Sequence, residues 1–413
     1  MHLSAFLAGA LATSPADPVP ASRSLTDPDR SQDAAQRTAQ DADVDDLTFR
    51  VESLELELER LRREAATPPP QQANRFNPQI TVFGNLLARS DDQPVHVADD
   101  PAEPRIDDSI NLREVELDFR AAIDPFADGV LILSAESEVP GEYEATVEEG
   151  YATLKSLPGL ESAPLGLKLE VGRFRASFGR FNRIHLHDLP QVDYPRSLQV
   201  ALGEEGYIQN GLSGTFFLPS PSDSTTLEAT LELLGGGDVP MAEDLDAGDV
   251  AGLARLAWFQ ELGASHSLDT GTSYWAAEDQ RSLLGVDLNY KWRPHTAGNA
   301  RSFLLGGELF ASDGGDSGLD DALGWFGWSQ VQLSRSLYLG VRYDESEELE
   351  DASLHTQVLS AFATWYTSEF LRLRLGGSGY ESDLAEVDGR TSVFLELNFV
   401  FGSHPVEPYW VNR

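Results

Sequence analysis

From residue 78 onward, apolar and polar side chains alternate in segments of roughly ten residues. In residues 337–344, Leu, Leu, Val and Tyr occupy every second position, and mostly polar or small residues fill the others. Residues 395–401 repeat the pattern, and turns rich in glycine and aspartate separate such segments. A period of two is typical of β-strands. The pattern predicts about sixteen strands between Gln79 and Gly402.

Two architectures accommodate such strands. A soluble β-sandwich or propeller would turn its apolar faces inward, whereas a transmembrane barrel turns them toward lipid. Three observations favour the barrel. The polar faces carry Arg and Glu, and no repeat of about 40–50 residues is visible, which argues against a propeller. Aromatic residues cluster near segment ends, as an interfacial girdle requires. These aromatic residues are Trp258, Phe259, Tyr274, Trp275, Tyr290, Trp292, Trp325, Trp328, Trp365 and Tyr366. We therefore expect an all-β fold, a transmembrane antiparallel barrel of about sixteen strands.

A different period precedes the strands. Apolar residues recur at alternating spacings of three and four between Val44 and Ala65, with Glu and Arg on the other faces, until Pro68 stops the helix. This a/d seam predicts a short coiled coil over residues 43–67 that joins chains as a homotrimer. A single amphipathic helix lying on its own domain is the alternative.

The rest of the N-terminal region indicates processing and linkers. Residues 1–12 form an apolar run with a small-x-small ending, so we expect a signal peptide, although no Lys or Arg precedes the run. Residues 13–42 read as a disordered acidic linker and 68–77 as a Pro/Gln linker. The barrel domain then spans 78–413.

Composition excludes several classes of function. The chain has 30 Lys and Arg against 68 Asp and Glu, a net charge of −38, which argues against nucleic-acid binding. The absence of cysteine excludes disulfides and thiolate chemistry. An acidic, lysine-poor chain also suits concentrated salt.

The segment 180–206 is too long for an ordinary turn and too rich in aromatic residues, Pro and Leu for disorder. We expect it to fold into the barrel and narrow the pore. Arg173 and Arg175, on one strand face, would line that constriction and attract anions, unless they merely pair with lumen carboxylates. The full predicted constriction comprises Arg173, Arg175, Arg180, Arg183, Glu204 and Glu205.

The same segment holds a candidate metal site. His185 and His187 share a face if the chain is extended, and Asp188 or Asp193 could add an oxygen ligand for zinc. The alternative is that the two histidines hydrogen-bond the loop to the barrel wall.

These motifs resemble a known family. The residues that carry the resemblance are Gly172-Arg173-Phe174, Asn182, His185-x-His187, Asp193-x-Pro195, Gly203-Glu204-Glu205-Gly206 and Leu218-Pro219. They are similar to porin-like outer-membrane barrels known as zinc-regulated TonB-dependent receptor-like proteins and, more distantly, to phosphate-selective porins. The resemblance implies a barrel over residues 78–402. Nothing between Ala12 and Gln79 could form the plug domain of a true TonB-dependent receptor, so we expect a plug-less member.

We therefore expect an outer-membrane porin-like channel for passive diffusion of small hydrophilic solutes or ions. Its partners would be the lipid bilayer and a homotrimer of the same chain, without nucleic acid. We expect no cofactor, zinc being the one candidate ion. A zinc-related receptor and a structural envelope tether are the alternatives. No G-x-S-x-G context surrounds Ser177 or Ser197, so enzymatic activity is not expected.

Overall fold

The computed structural model describes the chain from residue 78 onward with a few gaps. The described residues are 78–155, 164–236, 239–242, 245, 248–278, 280–294, 300–403, 408, 410 and 411. The predicted signal peptide (1–12), both linkers (13–42 and 68–77) and the coiled coil (43–67) lie outside the described residues.

Sixteen antiparallel strands close into one barrel, in which each strand pairs with its sequence neighbours and β1 pairs with β16. Their bounds are β1 Gln79–Asp91, β2 Ile110–Ala122, β3 Ala127–Glu136, β4 Glu144–Leu154, β5 Lys168–Arg175, β6 Ile208–Leu218, β7 Thr225–Gly235, β8 Val250–Glu261, β9 His266–Ala276, β10 Ser282–Trp292, β11 Phe303–Asp313, β12 Leu323–Gln332, β13 Leu337–Glu347, β14 His355–Ser368, β15 Leu371–Ser382 and β16 Thr391–Gly402. The one described α-helix, α1, spans Arg196–Leu202, and 3-10 turns span Val97–Asp99, Pro164–Gly166, Phe181–Arg183, Leu186–Asp188 and Pro240–Ala242. The predicted closed antiparallel barrel is confirmed.

The two faces of the barrel wall differ in polarity. On β13, Leu339 and Val341 are exposed on the outside, whereas Arg342 and Asp344 are buried inside. An apolar outer face gains free energy in hydrocarbon, and a closed sheet leaves no unpaired edge there. The wall is therefore suited to span a membrane. Among the described residues, no helix is long and apolar enough to cross a membrane.

The expected aromatic girdle is only partly present. Exposed on the outer face are Trp258, Tyr274, Trp325 and Trp365. Buried inside the barrel are Trp275, Trp328 and Tyr366. Adjacent residues on a strand point to opposite faces, so the pairs Tyr274-Trp275 and Trp365-Tyr366 each send one ring inward. The inner rings belong to an interior apolar core.

Connections differ in length at the two ends of the barrel. Tight turns such as 333–336 and 369–370 join strands at the end where β1 begins, which we call the turn end. Longer connections lie at the opposite loop end, including 92–109 between β1 and β2. The longest connection among the described residues, Ala176–Tyr207, joins β5 to β6 and is called the inward loop below.

Candidate pore constriction

The inward loop lies inside the barrel, as its length and composition predicted. Phe178 stacks on Phe310 of β11 with ring centroids 6.0 Å apart, and Phe181 meets Phe326 of β12 edge-on at 4.8 Å. Both loop residues are almost fully buried. Burial of two aromatic side chains is a large apolar contribution, so it anchors the start of the loop to one wall.

Carboxylates of the wall accept the loop's backbone N–H groups. Oε1 of Glu308 accepts the amides of Arg180 and Phe181, each at 2.8 Å, and Glu232 accepts that of Ser177 at 2.9 Å. A buried backbone amide needs such a partner because no strand neighbour is available to it. Gly179 adopts φ 60°, and a Cβ there would collide with the Glu308 carboxylate.

Arginines of the opposite wall donate to the loop's carbonyls. Arg372 donates to the carbonyl of His187 at 2.7 Å. Arg374, fully buried, donates to the carbonyls of Leu189, at 2.7 Å, and Gln191. One guanidinium nitrogen of Arg372 and two of Arg374 are thus engaged by the loop. The loop is thus tied to walls on both sides.

Arg173 and Arg175 do not act together. Arg175 is buried, pairs with Glu148 and donates to the carbonyl of Glu205 at 2.7 Å. Arg173 pairs in register with Gly150 on the outer face, and its Nε donates to the carbonyl of Val147 at 3.1 Å. The predicted shared lumen face is lost because β5 stops pairing with β4 after Arg173, and the last two residues of β5, which pair with β6 alone, are both buried.

The other predicted constriction residues fall into two separate cavities. Arg180 and Arg183 line a cavity toward the turn end, where Asp269 and Glu228 face them, and Arg180 forms an ion pair with Asp269. This cavity brings opposite charges of loop and wall together around one space.

Glu204 and Glu205 line the other cavity, toward the loop end, with Arg113 and Arg390. Desolvation within the barrel raises the pKa of both glutamates above the usual range. They therefore do not oppose Arg180 and Arg183 across one opening.

The two histidines meet, but not with the predicted aspartates. Nδ1 of His185 and of His187 lie 3.3 and 3.2 Å from the same oxygen, Oε2 of Glu116 on β2. Asp193 instead pairs with Arg342 at 3.0 Å, and Asp188 lies 3.8 Å from Nε2 of His187.

Sequence reasoning missed the wall carboxylates around the histidines, which are Glu114, Glu116, Glu148 and Glu149. A signal existed for two of them, because Glu114 and Glu116 alternate on the inner face of β2. The adjacent pair Glu148-Glu149 breaks the alternation at a register shift, where both side chains are buried.

Electrostatics at the histidines favours positive charge. Burial lowers the pKa of His187, but Glu116 and Asp188 outweigh it and raise that pKa to about 10. The pKa of His185 is also raised well above its usual value, because Glu116 and Glu148 outweigh burial and Arg175. The carboxylates thus stabilise positive charge at each imidazole, either as a bound cation or as an added proton.

The chain beyond β16 also enters the barrel. Trp410 is fully buried, with its ring 6.3 Å from that of Tyr338 and 6.0 Å from that of Tyr366. Its backbone carbonyl accepts a 3.2 Å hydrogen bond from Gln330, and Arg372 lies over its ring. Trp410 therefore occupies part of the lumen beside the inward loop.

No protein-family profile matches the chain. Over 112 residues it is 36% identical to an uncharacterized protein of Aquifex aeolicus, a stretch that covers 27% of this chain and only about a fifth (21%) of that protein.

Solved structures share the architecture. The outer membrane channel DcaP of Acinetobacter baumannii has a TM-score of 0.52 at 11% identity, covering 78% of this chain and 97% of that one. An anion-selective porin from Comamonas acidovorans scores 0.50 at 11% identity, covering 78% and 100%. OmpF of Salmonella typhi, in complex with daunomycin, scores 0.50 at 10% identity, covering 79% and 99%. At these identities the likeness extends to the fold alone, and the chain has the closed 16-strand barrel fold of outer-membrane porins.

Proposed function

We propose that the protein is an outer-membrane channel through which small hydrophilic solutes or ions diffuse passively, narrowed by the inward loop. The observation that carries the proposal is the position of that loop inside a closed barrel, bonded to β7 and β11 on one side and to β15 on the other. A segment tied across a lumen reduces its cross-section, and pore resistance is concentrated where the cross-section is smallest.

The distribution of charge supports water on both sides of the loop. Each of the two cavities is lined by side chains of both signs, such as Arg183 and Asp269 at the turn end and Glu204 and Arg390 at the loop end. Short turns normally face the periplasm and longer loops the exterior in such barrels. Solutes that enter from outside would therefore meet Glu204 and Glu205 before they meet Arg180 and Arg183.

Planar-bilayer recording of the purified protein tests the proposal. We expect stepwise ion conductance, with a reversal potential under a salt gradient that reports the charge of the narrowest region. A protein that inserts and stays silent at all voltages would refute passive diffusion.

Two finer parts of the proposal depend on other regions. The homotrimer is supported by the a/d seam of residues 43–67, which would also serve an envelope tether. A zinc-related role, suggested by the resemblance to zinc-regulated receptor-like barrels, is favoured by the cluster of His185, His187 and Glu116.

A further inference from the structure

We propose that Glu116, Glu148, His185 and His187 form a binding site for one divalent transition-metal ion of the Zn2+ type, which fastens the inward loop to strands β2 and β4. Two of these ligands replace the aspartates that the sequence had indicated. The site deepens the zinc-related part of the proposed function, and metal binding can be measured whether or not the barrel conducts.

The spacing of the ligand atoms fits a tetrahedral ion. Nδ1 of His185 lies 3.3 Å from Oε2 of Glu116 and 3.1 Å from Oε1 of Glu148. Nδ1 of His187 lies 3.2 Å from the same Oε2 of Glu116. Zinc bonds of about 2.0–2.1 Å at tetrahedral angles place neighbouring ligand atoms roughly 3.3 Å apart. Small side-chain movements would let these atoms surround one ion.

Several atoms of the cluster lack hydrogen-bond partners among the described residues. Glu116 is 1% exposed and His187 3%, and Oε2 of Glu116 and Nδ1 of His187 lie 3.2 Å apart, yet neither atom forms a hydrogen bond of good geometry. The same holds for Nδ1 of His185 and for Oε2 of Glu114 and Glu148. Buried polar atoms nearly always find a partner, because leaving one unpaired costs its desolvation. Several such atoms converging on one point indicate a ligand between them.

Charge balance indicates that this ligand is a cation. Four carboxylates approach the two imidazoles, and they are Glu114, Glu116, Glu148 and Glu149. Arg175 is the guanidinium that pairs with this group, through Glu148 and Glu149. Buried charges of one sign require compensation. One divalent ion held by neutral histidines supplies two positive charges. Two protons, one on each imidazole, would supply the same charge. Protonated histidines without a metal are therefore the competing state.

The donor types select the metal. Two imidazoles with carboxylate oxygens suit zinc and its neighbours among the transition metals, whereas calcium and magnesium prefer oxygen alone. Nε2 of His185 lies 3.0 Å from Oε1 of Glu149, so this carboxylate can accept a hydrogen bond from Nε2–H, which leaves Nδ1 unprotonated for the metal. The ring of His187 stacks on Phe83 with centroids 4.0 Å apart, which fixes its orientation.

The site lies next to the cavity at the loop end. Glu114, beside Glu116 on the inner face of β2, lines the cavity that opens there. The ligands come from β2, β4 and the inward loop, so a bound ion would cross-link three elements that are distant in sequence.

Metal binding by the full-length protein in detergent tests the proposal. After chelator treatment and dialysis, titration with ZnCl2 should show one equivalent bound per chain by calorimetry and by elemental analysis. The variants Glu116→Gln and His187→Gln should lose that equivalent. Glu149→Gln, which removes the carboxylate behind His185, should weaken affinity by about 10- to 100-fold. His355→Ala, at an exposed histidine of β14, should bind as the wild type does.

A second measurement needs no variant. Co2+ added to the wild-type protein should give the intense visible absorption of a tetrahedral ion with nitrogen and oxygen ligands. If the wild type binds no stoichiometric Zn2+, the proposal is overturned in favour of protonated histidines. If Glu116→Gln and His187→Gln both fold, as judged by circular dichroism, and both bind Zn2+ as the wild type does, the proposal is overturned in favour of a site elsewhere. Conductance without metal binding would contradict the metal site but not the channel. Metal binding without conductance would contradict the channel but not the metal site.

Discussion

The indole Nε1 of Trp410 donates a 2.8 Å hydrogen bond to the backbone carbonyl of Asp188. This bond joins the chain beyond the last strand to the inward loop, inside the barrel. The two segments that occupy the lumen therefore support each other, and loosening one should loosen the other.

Replacing Trp410 with alanine should raise single-channel conductance and its noise. The change removes a fully buried indole, and truncation of a buried aromatic side chain costs about 3–5 kcal/mol where the surroundings cannot collapse. Trp410→Phe keeps most of the packing and loses the hydrogen bond, so it should stay closer to the wild type. Equal conductance of wild type and Trp410→Ala would show that this residue does not obstruct the pore.

Glu308 provides a test of how the loop is held. Glu308→Ala leaves the amides of Arg180 and Phe181 without their acceptor, a cost of about 1–3 kcal/mol for each buried donor. Glu308→Gln retains a carbonyl oxygen at the same place and should remain near the wild type. Limited trypsin digestion at the exposed Arg183 reads out loop release, and we expect faster cleavage in the alanine variant only. Equal cleavage of both variants would place the anchoring elsewhere.

The barrel itself could be predicted from the sequence, because its cause is local. On β13, apolar residues such as Leu339 and Val341 alternate with polar or small ones, and this alternation determines which face of the strand meets lipid. It does so regardless of which strand is the neighbour. The length of the segment between β5 and β6 likewise predicted that it would occupy the interior.

The partners inside the barrel could not be predicted, because they depend on strand register and on the path of the loop. Glu116 on β2 contacts His185 of the inward loop, and Arg374 on β15 donates to the carbonyl of Leu189. The prediction for Arg173 was wrong for the same reason, since β5 stops pairing with β4 after Arg173 and stays paired with β6 alone as far as Arg175.

Ion selectivity should respond to the cavity at the turn end. Arg183→Glu reverses an exposed charge beside Glu228 and should shift the reversal potential toward cation preference, more strongly at low salt where screening is weak. Arg173→Glu makes the same change on the outer face and serves as the matched control, with no shift expected. A shift in the control as large as that in Arg183→Glu would mean that net charge alone, and not the cavity, sets selectivity.

The seam in residues 43–67 should govern assembly. Leu54 and Leu58 occupy a and d positions, so changing both to Asp should weaken the trimer while leaving the barrel folded. A linked coiled coil of this length gains stability chiefly when the barrels hold its helices close together. Light scattering in detergent measures the mass, and an unchanged mass with native circular dichroism would argue against trimerisation through this segment.

The most direct test of the account compares single-channel conductance in planar bilayers for the wild type and for a variant that lacks residues 191–200. This stretch includes the carbonyl of Gln191, which is bonded to Arg374, and most of α1. If the inward loop narrows a water-filled pore, the variant should conduct several-fold more than the wild type. Equal conductance of the two folded proteins, or silence of both, would contradict the account.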